Sequence, residues 1–267
     1  QAKTLFPYTT LFRSSLLMNL GSAAGELMHL GPAVAWLHEA VAYAGEHEMD
    51  GNRLYSGAWL ALCQVRTGDW AAAAEGAGVV LERTGAGSIS RLVALVALGT
   101  LRLLRGDPGA QTILDDALAQ AGASDTLQRI APVRAARAEA AWLRGDLAAC
   151  DAEARAALPL AVQRRHPWFA GELATWCWRA GTLQQAPAPC AEPYALEIGG
   201  HWREAAAAWQ QLGSPLARAR ALAAGDAAAQ QQALAVFDTL GAQAMADALR
   251  RRLREAGVRG VARGARA

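Results

Sequence analysis

Lysine is almost missing from this sequence: Lys3 is the only one, against 25 arginines. A Walker A loop needs a lysine to reach the β- and γ-phosphates, and nothing of the form GxxxxGK[ST] surrounds Lys3, so a nucleotide site of that kind is excluded. Cysteine is scarce. Cys63, Cys150, Cys177 and Cys190 form no CxxC pair, which points to buried, reduced thiols of a cytosolic protein and away from a disulfide framework or zinc site. No apolar run reaches the roughly 18 residues a membrane span requires, and no signal peptide is evident. The enzyme motifs fail on spacing as well. His38-Glu39 begins like HExxH but Ala42 stands where the second histidine must be, and His47-Glu48 fails the same way at Gly51. Gly85 to Ser88 is glycine-rich yet follows a helical pattern, so it reads as a loop between helices. No G-x-S-x-G elbow occurs. The expectation is a protein with no catalytic residue, no metal and no cofactor.

What remains is apolar and rich in alanine: 53% of the 267 residues are hydrophobic and 19% charged, enough for a core in one large or two modest domains. The net charge of +2 hides an asymmetry, since residues 201–267 hold 10 basic and 5 acidic groups. The first residues stand apart in composition. "TLFPYTTLFRS", Thr4 to Ser14, resembles the translation of a sequencing-library adapter, and residues 1–15 are expected to be foreign to the fold.

Internal repetition is the strongest signal. "VRTGDW", "LLRGDP" and "WLRGDL" place Gly68-Asp69, Gly106-Asp107 and Gly145-Asp146 at spacings of 38 and 39 residues, with weaker echoes at Gly31-Pro32 and Gly181-Thr182. Each pair closes one helical pattern and opens another, glycine as the left-handed terminal residue and aspartate as the cap of the next helix. In Arg53 to Thr67 the residues Leu54, Ala58, Ala61, Leu62 and Val65 recur on one face. The partner helix, from Trp70 to about Arg83, is alanine-rich on its inner side. "GDWAAAAEGA" resembles the turn and second helix of a tetratricopeptide repeat, with Trp70 in the bulky slot and Ala73 in the small one; Ala61 and Gly99 fall where the first helix wants a small residue. The fold expected is all-α, a tetratricopeptide-like α-solenoid of antiparallel helix pairs. Degenerate repeats occupy 16–191, C-terminal helical repeats 192–256, and a basic Gly/Arg linker 257–267.

The last quarter is punctuated more sharply. "GHWREAAAAWQQLGSPLARARALAAGD" opens at Gly200, runs a helix from Trp202 to Leu212, breaks at Gly213 and restarts with Ser214 as cap and Pro215 as first helical residue. Gly225-Asp226 repeats the stop-and-cap device. Leu234, Phe237 and Leu240 point inward on the next helix, and Met245, Leu249 and Leu253 on the last. With "PYALEIGG" ahead and "ALAVFDTLGAQAMADALRRRLREAGVRG" behind, Pro193 to Ala267 resembles the large LuxR-type transcriptional regulators, which join a P-loop ATPase, a helical-repeat region and a C-terminal helix-turn-helix. The resemblance implies the last repeats and the linker before the DNA-binding domain. It lends no nucleotide- or base-reading residue, because the Walker lysine is absent and no helix-turn-helix fits after Arg266. The implied partners are a small-molecule inducer or a protein on the helical surface, with DNA bound only through a domain outside this sequence and no membrane. A freestanding tetratricopeptide-type adaptor is the alternative.

Two residue groups carry what chemistry there is. Nine tryptophans include Trp168, Trp176 and Trp178 in "WFAGELATWCW"; Trp176 and Trp178 point to different sides of a helix, so Trp178 and Arg179 are candidates for a groove. Arg250, Arg251 and Arg254 lie off the Met245-Leu249-Leu253 stripe. They read as a solvated basic face favoured by the helix dipole, with phosphate contact beside a DNA-binding domain as the second reading.

Overall fold

The computed structural model describes residues 2–83, 85, 87–122 and 126–257. Among these every regular element is an α-helix and none is a strand, so the all-α expectation holds. The chain divides into two compact units, Gln1–Leu98 and Gly99–Ala267.

In the first unit α1 (Ala2–Glu26), α2 (Leu30–Glu46), α3 (Asp50–Thr67) and α4 (Trp70–Glu82) precede α5 (Ser88–Arg105), which crosses the division. From α1 to α4 consecutive helices pack, and α1 also touches α3. Leu30, Ala33, Leu37, Ala40 and Ala44 are buried at helical spacing along α2, the stripe that a half-buried helix requires. Gly68 takes φ +94° and closes α3 through its N–H to the Gln64 carbonyl, 2.9 Å. Asp69 then caps α4, its carboxylate accepting from the Ala72 N–H. Trp70 is buried with its indole N–H on the Val65 carbonyl at 2.9 Å, and Ala61 and Ala73 are both buried.

Two stops in this unit carry no glycine. Met28 and Glu48 hold φ near +60° and +55°, and the His29 and Met49 N–H groups reach back to Ala24 and Ala44. The weak echo at Gly31-Pro32 therefore marks the first turn of α2 and not the break itself. The adapter-like residues Thr4 to Ser14 are helical and lie within α1. Arg13 pairs with Glu39 at 2.8 Å and lies over the Tyr43 ring. Ser14 is wholly buried, its hydroxyl accepting from Asn52.

The second unit continues α5 into α6 (Ala110–Ala121), α7 (Leu127–Leu143), α8 (Leu147–Arg155), α9 (Leu158–Gln163) and α10 (Pro167–Arg179). It ends with α11 (Glu192–Ile198), α12 (Trp202–Gln211), α13 (Pro215–Leu222), α14 (Ala227–Leu240) and α15 (Gln243–Glu255). Gly145 is left-handed and Asp146 caps α8 by accepting from Ala149 N–H at 2.9 Å. The middle pair departs from the expected device. Gly106 is left-handed, but Asp107 caps nothing, because Pro108 and a second left-handed glycine, Gly109, delay α6 to Ala110. Gly225 departs too. It is absent from the left-handed residues, and Asp226 alone caps α14. Its reason is contact: a Cβ there would lie 2.7 Å from the Trp202 ring. At Gly99 a Cβ would meet Leu114 at 2.7 Å, so the small slot is filled by the neighbouring helix.

The core between α7, α8 and α10 is mostly alanine, with Leu127, Phe169, Leu173 and Trp176 as the large members from these helices. A buried methyl contributes only about 0.8 kcal/mol, so the few bulky side chains carry much of the stabilisation. Polar ties supplement it. Arg137 bridges Asp115 of α6 and Glu153 of α8, and Arg134 also binds Glu153. From α6 to α15 helices adjacent in sequence pack on one another, and α15 also returns to α7, with Arg251 reaching the Leu143 carbonyl across 108 positions of sequence.

Candidate functional site

Trp176 sits at the centre of a buried polar network that joins five helices of the second unit. Glu197, on α11, is 6% exposed. It accepts from Arg179 of α10 at 3.0 Å and from the fully buried Trp209 indole of α12 at 2.8 Å. Glu139, on α7, is equally buried and binds Arg220 of α13. Both guanidinium groups flank the Trp176 ring, at 5.2 and 5.7 Å from its centroid, inside the reach of a cation–π contact. The local reasons are plain: left-handed Gly200 ends α11 just past Glu197, and Pro215 starts α13 so that Arg220 falls on its inward side. The Nε atoms of Arg179 and Arg220 are buried and have no hydrogen-bond partner.

Above this network opens a groove of about 620 Å³. It is lined by Trp142 and Trp178, by Arg179 and Arg220 of the network, and by Arg251 and Arg252 of α15. Leu249 and Phe237 add apolar surface to it, and Glu255 is the one acid in the lining. Arg252 donates to the Ala223 carbonyl at the end of α13, and Arg251 to Leu143 at the end of α7, 3.5 Å. These are terminal carbonyls whose partial negative charge favours cations. Arg252 keeps part of its surface in solvent, yet the surrounding protein, with the like charge of Arg179 adding to it, holds its pKa below the usual arginine range. Arg179 and Arg220 each have a buried carboxylate. Among the described residues Arg251 and Arg252 have none within ion-pair distance.

The structure thus brings Trp178 and Arg179 into the lining of one groove, where Trp178 is half-buried. It separates the C-terminal arginines. Arg251 lines the groove and Arg254 is exposed, but Arg250 is not solvated: its side chain is 5% exposed and its Nη2 donates to both Asp238 oxygens at 2.7 and 2.8 Å. A buried, carboxylate-bound guanidinium has nothing left for a phosphate, so both readings fail at Arg250. Residues 258–267, with Arg259, Arg263 and Arg266, lie outside the described residues.

Trp202 packs under Gly225 and carries Arg203 on its ring at 4.1 Å. It is a packing residue. His38 is exposed, and His47 stacks on Tyr43. Among the described residues no three His, Cys, Asp or Glu side chains are grouped to hold a metal ion. No described helix is long and apolar enough to cross a membrane. The cysteines are free. Three are buried, burial pushing the Cys63 thiol up to about 11 and those of Cys150 and Cys177 to about 12, whereas Cys190 is only half-buried. No protein-family model, curated protein or solved structure matches the chain.

Proposed function

We propose that this chain is the helical-repeat signal-sensing and scaffold segment of a LuxR-type transcriptional regulator, a tetratricopeptide-like α-solenoid of antiparallel pairs that works in the cytoplasm without chemistry of its own. Its ATPase and helix-turn-helix belong to sequence outside these 267 residues. The observation that carries this reading is the position of the groove. Six of its lining residues belong to α15, the helix that leads into the Gly/Arg segment, so occupancy of the groove acts on the element next to the linker. A ligand that binds one arrangement of α15 better than another shifts the population between them, by no more than its differential affinity. Return of α15 onto α7 makes such a signal a property of the unit and not of one helix end. The test is the coding sequence past Ala267: a helix-turn-helix there supports the regulator, and an immediate stop codon refutes it.

The adaptor reading is favoured by one observation. Phe12, Leu16 and Leu20 are exposed on α1, at positions within one helical arc, and Leu27 is exposed just past its end, which is the kind of apolar face a protein partner covers. Pull-down with α1 charge variants as controls distinguishes it, since a sensing segment keeps its groove function when Leu16→Glu and Leu20→Glu are introduced.

A further inference from the structure

We propose that the groove between Trp142, Trp178 and the Arg251-Arg252 pair is a binding site for a small, flat aromatic monoanion, its carboxylate held by the two arginines and its ring against the tryptophans. This names the ligand class for the sensing role above and rests on that reading. Four observations carry it. The volume, about 620 Å³, suits a small organic molecule, and such sites pair an apolar lining with a few convergent polar groups. The cations are unequal: Glu197 and Glu139 neutralise Arg179 and Arg220, while Arg251 and Arg252 hold only helix-terminal carbonyls and keep further donors for a planar acid. Trp142, Trp178, Leu249 and Phe237 line the same groove as these arginines, so both the ring and the charge of one ligand find matching side chains in it. Crowding of positive charge around Arg252, felt in its lowered pKa, is relieved by an anion.

The same inventory rejects the neighbouring classes. A nucleoside triphosphate brings three or four negative charges to two uncommitted arginines with Glu255 beside them. An acidic peptide needs a track of free cations, and the next arginine on α15 toward its start, Arg250, is already bound to Asp238. A neutral aromatic leaves both arginines unused.

The test is calorimetric titration of the full chain with 2-naphthoate and, separately, 2-naphthamide, which has the same ring without the charge. Naphthoate binds at one site, and naphthamide at least about tenfold more weakly, the scale of losing a charge-assisted bidentate contact. Arg251→Gln and Arg252→Gln each weaken naphthoate by about tenfold or more while the amide is unchanged, Trp178→Leu weakens both, and Arg254→Gln weakens neither. Far-ultraviolet melts verify that each variant is folded; should Arg252→Gln lose its contact to α13 and melt early, Arg251→Gln supplies the answer. Equal binding of acid and amide overturns the proposal. So does absence of binding, indifference to both arginine variants, or a decaglutamate peptide outcompeting naphthoate. Failure here with a helix-turn-helix encoded past Ala267 faults the ligand class alone; success here with a stop codon there faults the regulator alone.

Discussion

Glu197→Ala is the substitution expected to damage this protein most for its size. The carboxylate is 6% exposed and serves two buried donors, the Arg179 guanidinium at 3.0 Å and the Trp209 indole at 2.8 Å. Removing one partner of a buried ion pair costs about 3–5 kcal/mol, because the other charge stays buried and uncompensated. An unsatisfied indole N–H alone costs about 1–3 kcal/mol. Both losses pass through one carboxylate and share relaxation, so they do not add, and the expected total is about 3–5 kcal/mol. Arg179 has little relief available, its Nε already lacking a partner. Glu197→Gln keeps an oxygen for Trp209 and loses only the charge, so it costs less, about 1–3 kcal/mol. Adding Arg179→Met to Glu197→Ala recovers part of the loss, since the orphaned charge is gone. Urea titration followed by far-ultraviolet circular dichroism measures all three, with an unchanged slope as the condition for reading midpoints as stability. A loss below about 1 kcal/mol for Glu197→Ala, the range of ordinary surface changes, would refute the buried network.

Further predictions concern separate parts of the structure. Gly225→Ala, which at an unstrained backbone would stabilise by about 0.4–1 kcal/mol, here destabilises by about 1–3 kcal/mol because the new Cβ meets the Trp202 ring at 2.7 Å; a raised melting temperature would contradict that contact. Ala73→Trp overpacks a fully buried position on α4 and costs at least about 1–3 kcal/mol, and unchanged stability on denaturant titration would show that Ala73 does not face the neighbouring helix. Burial pushes the Glu153 carboxyl up, but hydrogen bonds from Arg137 and Arg134 and their charges outweigh it and leave it below its ordinary 4.5. A carboxyl lowered in the folded state adds stability at pH above that ordinary value and loses it as pH falls through the folded one. Stability therefore drops in acid below about pH 4.5, and Glu153→Gln flattens that part of the curve; a wild-type curve no steeper than the variant's would remove Glu153 from the account.

The helical class and most helix ends were legible because local chemistry fixes them. Gly68-Asp69 and Gly145-Asp146 each combine a left-handed residue with a cap, and both devices act within a few positions of sequence. Asp107 misled because Pro108-Gly109 inserts another turn, and Met28 and Glu48 were silent because a left-handed stop without glycine has no compositional mark. The groove was half legible: Trp176 and Trp178 had to face different sides, which marked Trp178 and its neighbour Arg179. Its other half was not. Arg220 meets Glu139 across 81 positions and Arg251 meets Leu143 across 108, distances at which helical periodicity carries no information. Arg250 shows the same limit at closer range, since the face opposite the apolar stripe looks solvated until α14 brings Asp238 to it. A buried acid at Glu139 on an otherwise alanine-lined stretch of α7 was the available hint, because an isolated carboxylate in such a face needs a cation.

Amide hydrogen exchange with and without saturating 2-naphthoate tests the sensing role most directly, because it reads whether ligand in the groove reaches the helix before the linker. Slowed exchange is expected in α15 and at the ends of α7, α10 and α13 that line the groove, while α2 and α3 of the first unit keep their rates. Naphthoate binding that leaves Gln243–Glu255 unprotected, or that protects all helices alike, would contradict it.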